Sequence, residues 1–92
     1  MAASMHNPAS DLLAAAVVAM RKKAGFNQRQ LAAALGREQN LVARIETGQR
    51  RLDLVEWVQI CRACGVDPAT TVTALVKDIA PLVPKKRAKR PD

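Results

Sequence analysis

Ninety-two residues, 49% of them hydrophobic but with one Phe, one Trp and no Tyr, suffice for one domain around a single aliphatic core. Fifteen Lys and Arg against eight Asp and Glu leave a formal charge of +7, which points to polyanionic partners. The longest apolar run, Leu12 to Met20, is nine residues against the roughly 20 of a spanning helix, and the start has no basic signal-peptide region, so no membrane partner is expected.

The charge is unevenly spread. Residues 84–92 hold five bases and one acid, so the tail carries more than half of the excess. Charge alone therefore does not show that the folded body binds anything.

Residues 1–10 read as a flexible lead-in, with Asn7 or Ser10 able to cap the first helix and Pro8 suited to its first turn. Residues 11–80 read as a compact bundle of five short helices. Leu12, Leu13, Ala16, Val17 and Met20 recur at helical spacing, and Gly25 ends that segment. The second helix opens at Asn27 with Gln30 in capping-box position, carries Leu31, Ala32 and Leu35 as its apolar stripe, and closes at Gly36. The third runs from about Glu38 to Thr47, with Val42 and Ile45 inward and Gly48 as its stop. Asp53 with Glu56 opens the fourth, whose expected buried face is Leu54, Trp57, Val58, Cys61 and Cys64. Asp67-Pro68 opens the fifth, where Val72, Leu75, Val76 and Ile79 follow the i, i+3, i+4, i+7 pattern until Pro81 and Pro84 forbid continuation. Residues 81–92, with Lys85, Lys86, Arg87, Lys89 and Arg90, read as a basic, disordered tail serving either nonspecific DNA affinity or solubility. No run alternates as a strand, so the fold class is all-α.

Cys61 and Cys64 form a C-x-x-C near the end of a helical segment, where the dipole disfavours a thiolate. Zinc needs about four ligands, and His6 is the one other soft candidate. Both cysteines are read as reduced core thiols, with no metal and no cofactor. No enzyme is expected either: the acids are scattered as caps, no nucleophile has a neighbouring base, and no Gly-rich phosphate loop occurs.

Two short helices crossing steeply need a small residue at the contact, a residue tolerant of positive φ at the turn, and two apolar anchors on the second helix. Ala32, Gly36, Val42 and Ile45 supply these in order. The wider run Asn27-Gln28, Leu31-Ala32, Leu35-Gly36, Val42, Arg44-Ile45-Glu46, Gly48 and Leu52-Asp53, followed by Gly65-Val66-Asp67-Pro68, resembles the Cro/phage-repressor (XRE) family over roughly residues 17–68. The resemblance implies a lambda-repressor-like five-helix domain that binds double-stranded DNA as a homodimer on a palindromic operator. It implies a phosphate contact by Gln28, base reading by Gln39, Asn40, Ala43 and Arg44, and a salt bridge between Arg21 and Glu46.

A helical wheel supports the base-reading face independently. With Val42 inward, Ile45, Glu46 and Glu38 fall within about 60° of it at 100° per residue, while Asn40, Ala43, Arg44 and Thr47 fall opposite. Asn and Gln suit adenine, Arg suits guanine, and an Ala methyl suits thymine. Arg21 is also expected near a phosphate, and Arg50 and Arg51 follow the third helix where a loop meets the DNA backbone. Glu38 stands where relatives often carry Ser or Thr, and Leu41 is apolar at a flanking position, so the operator sequence is not legible. The expected function is a cytoplasmic, nucleoid-associated transcriptional repressor. The alternatives are an antitoxin that also binds a toxin protein, and a helical protein-interaction module without DNA binding.

Overall fold

The computed structural model describes residues 7–85, and these form five α-helices, a closing 3-10 turn and no strand. Helix α1 spans Pro8–Lys23, α2 Gln28–Leu35, α3 Gln39–Glu46, α4 Leu54–Ala63 and α5 Pro68–Ile79, with the 3-10 turn at Ala80–Leu82. Local chemistry sets the boundaries. Asn7 caps α1 by accepting from the Ser10 N–H at 2.8 Å, so the expected lead-in is helical from Pro8 onward. At α2 the Asn27 side chain accepts from the Gln30 N–H at 2.7 Å, and the Gln30 side chain accepts from the Asn27 N–H at 2.8 Å. Asp53 and Glu56 form the same reciprocal pair at the start of α4.

The turn between α2 and α3 is tight because Gly36 adopts φ +67°, which lets the Arg37 N–H reach back to the Ala32 carbonyl at 2.9 Å. Ala32, the small residue expected where the two helices cross, is buried, and α2 packs against α3.

The core takes residues from α1 to α4: Val17, Met20, Leu31, Ala32, Val42, Ile45, Trp57, Ile60 and Cys61 are buried. Removing each large aliphatic side chain from water contributes about 1.5–3 kcal/mol, and this fixes α3 by its Val42 and Ile45 side. Helix α5 contributes no fully buried residue, but Val72 and Leu75 pack on the core's edge and the Trp57 indole N–H donates to the Pro68 carbonyl at 3.2 Å.

Three details differ from the sequence-based expectation. Leu54 is 72% exposed, because it sits at the first position of α4 with nothing packed over it, and Val58 and Cys64 are half-buried. Ile60, absent from the expected face, is fully buried. On α5 Val76 points out at 50% exposure, while Val72, Leu75 and Ile79 are half-buried. The cysteines are free; burial pushes the Cys61 thiol up to about 11 and raises that of Cys64 as well, so neither favours a thiolate. His6 and residues 86–92 lie outside the described residues.

Candidate nucleic-acid interface

With Val42 and Ile45 buried, a helix period of 3.6 residues turns the opposite side of α3 to solvent. Gln39, Asn40 and Arg44 are exposed there, and Ala43 is half-buried between them. Thr47, at the end of the helix, spends its hydroxyl on the Ala43 carbonyl at 3.0 Å. Shallow clefts flank this side. One is lined by Arg21, Asn27, Gln28, Arg29 and Gln39; the other by Arg37, Asn40, Leu41, Arg44 and Arg50 among others. Both bring basic side chains up to the same exposed helix face.

Behind the first cleft sits Glu46, its side chain 5% exposed. Arg21 donates to it twice, from Nε at 2.6 Å and from Nη2 at 3.1 Å, and Gln28 donates from its amide at 2.9 Å. The third Arg21 nitrogen, Nη1, donates to the Phe26 carbonyl at 2.9 Å. A buried carboxylate without partners is costly, and here it has three charge-assisted or amide donors. The bond to Glu46 outweighs desolvation and holds the Arg21 guanidinium above its ordinary pKa. The pair expected between Arg21 and Glu46 is thus in place, and it ties α1, the start of α2 and the end of α3 together. Arg21 is itself buried, and one Gln28 donor is spent inside the protein.

The second cleft is backed by a carboxylate that sequence reasoning took as a cap alone. Glu56 is 7% exposed and accepts from both terminal nitrogens of Arg50, at 2.9 and 2.7 Å, and from the Asp53 N–H at 3.0 Å. Arg37 approaches it at 3.8 Å. The bond from Arg50 is the main cause of a Glu56 pKa below the ordinary carboxylate value. Arg50, expected to be free for a phosphate, instead has its fork closed on Glu56. Arg51 is exposed. No local pattern announces this cluster, since Arg37 lies on the α2–α3 turn and only the fold brings it to α4.

Residues 12–74 match a helix-turn-helix domain family. A solved XRE-family like protein from Pseudomonas syringae pv. tomato str. DC3000 is 37% identical, with a TM-score of 0.73 over 79% of this chain and 89% of that one. The chain belongs to the XRE family of helix-turn-helix DNA-binding proteins. Its XRE fold is shared with the clp gene regulator ClgR from Corynebacterium glutamicum (22% identity, TM-score 0.68, 80% of this chain and 79% of that one). It is shared too with a point mutant of the restriction-modification controller protein C.Esp1396I (19% identity, TM-score 0.71, 82% of this chain and 95% of that one). No curated protein matches significantly. Within the XRE domain, α2 and α3 are the helix-turn-helix pair, so the exposed side of α3 is the surface that family membership makes the candidate reader.

Proposed function

We propose that this protein is a sequence-specific transcription regulator, a repressor that binds a palindromic operator as a homodimer and sets α3 of each protomer into the major groove. The observation that carries the reading is the split of α3 into a side buried through Val42 and Ile45 and a side exposing Gln39, Asn40 and Arg44. Those three, with the methyl of Ala43, are the chemistry for reading base edges: amides for adenine, a guanidinium for guanine, a methyl for thymine. Gln28 and Arg51 are assigned to the phosphates flanking the groove. Arg21, expected near a phosphate, is buried with its guanidinium nitrogens bonded to Glu46 and to the Phe26 carbonyl, and its role in this reading is to hold Glu46. Repression follows most simply from occupying a promoter, which needs nothing beyond tight and selective binding.

Arg44→Ala tests the assignment. If Arg44 bonds a base edge, its removal should weaken binding to a duplex selected by the wild-type protein by about 1–3 kcal/mol and leave random-sequence binding nearly unchanged. Equal weakening on both duplexes would reduce Arg44 to a phosphate partner. Absence of duplex binding by the wild type at low salt would remove the function altogether.

A further inference from the structure

Helix α3 is bracketed by two buried carboxylates of matching design. Glu46 collects Arg21 and Gln28 behind one cleft; Glu56 collects Arg50 and approaches Arg37 behind the other. The second bracket spans three elements: Arg37 from the α2–α3 turn, Arg50 and the Asp53 N–H from the α3–α4 loop, and α4 itself. It also engages a cation beside the groove that holds Asn40 and Arg44.

We infer that Glu56 is a positioning and specificity-determining residue: its carboxylate occupies the Arg50 fork in place of a DNA phosphate. The inference rests on the DNA-binding reading above. Carboxylate and phosphate present the same acceptor geometry to a guanidinium fork, so a side chain closed on one is withheld from the other. Arg50 also donates to the Arg51 carbonyl at 3.0 Å, which leaves few of its N–H groups outward. Each phosphate that a protein neutralises adds sequence-independent affinity. A cation withheld therefore lowers affinity for random DNA and leaves more of the binding to base contacts. The same bracket holds the loop so that Arg51, one residue on, is the side chain that meets the backbone.

The test is a salt series on a short random-sequence duplex and on a duplex selected by the wild-type protein. Glu56→Gln keeps the size and the capping oxygen but gives up the charge. It should steepen the slope of log K against log salt by about 0.9, the value of one added phosphate contact, and lower the ratio of selected to random affinity. Adding Arg50→Gln to that variant should return the slope to the wild-type value, a reversal that a mere fold brace would not produce. A folded Glu56→Gln with unchanged slope and ratio overturns the inference and leaves the DNA-binding reading standing. Wild-type protein that binds neither duplex at low salt overturns both. If Glu56→Gln fails to fold, Arg50→Gln alone decides: an unchanged slope supports withholding, and a slope shallower by about 0.9 shows that Arg50 already clamps phosphate.

Discussion

Glu46 and Glu56 are buried acids in a chain of net positive charge, and each survives burial because a guanidinium closes on it. Their burial makes them participants in stability, since removing one partner strands a charge in a poorly solvated place. Acid is the mild way to see this. The folded-state pKa of Glu56 lies below its ordinary 4.5, chiefly through the bond from Arg50. A carboxylate with a depressed pKa adds stability that is fully present above its unfolded value and disappears as pH falls through the folded one. The urea midpoint of the wild type should therefore begin to fall as pH drops below about 4.5. Glu56→Gln should be less stable than wild type at neutral pH and show a flatter acid limb. An acid limb of the same steepness in the variant would mean that other carboxylates carry the pH dependence.

Among the helices, α3 has the weakest start. Glu38 is its N-cap residue yet makes no side-chain cap bond, whereas Asn7, Asn27, Asp53 and Asp67 each accept from a backbone N–H at the head of their own helix. The carboxylate also lies beside the surface proposed to meet phosphates. Glu38→Ser should supply the missing acceptor and stabilise the fold by about 0.5–1 kcal/mol in thermal or urea unfolding. It should strengthen duplex binding at low salt as well, unless Glu38 accepts from a cytosine amino group. In that case one base position would lose its preference. A variant no more stable than wild type would show that α3 is held by packing alone.

The capped ends were legible in the sequence because capping is local: Asn27 with Gln30 and Asp53 with Glu56 lie three residues apart, and the chain alone brings them together. The inward sides of α2 and α3 were legible for the same reason, since Leu31, Ala32, Val42 and Ile45 follow one helical period. Leu54 marks the limit of helical period as a guide to burial. It shares the phase of Trp57 and Cys61, but period says which way a side chain points and not whether another element covers it. Ile60, at the edge of that phase, is buried because the surrounding helices close over it. The engagement of Arg50 by Glu56 was hidden differently. The two lie six residues apart across a loop, a separation at which no periodicity brings side chains together.

At the scale of the whole molecule, spacing bears on how two copies would use DNA. Successive major grooves on one side of a duplex lie roughly 34 Å apart, which is the spacing the two reading helices of the proposed homodimer would have to match. Helix α5 offers apolar surface for a pairing of two copies: it buries none of its residues fully, and Val76 on it, with Leu82 and Val83 beyond its end, is exposed. Insertion of about 5 base pairs between the half-sites of a selected palindrome rotates them to opposite faces of the duplex. If the protein binds as a preformed dimer, that insertion should abolish cooperative binding, while about 10 base pairs should restore the facing but stretch the pair apart. Val76→Asp should shift the free protein toward monomer in sedimentation and weaken the palindrome more than an isolated half-site. Binding that ignores the insertion, at concentrations where the free protein sediments as a monomer, would mean that each copy reads its half-site alone.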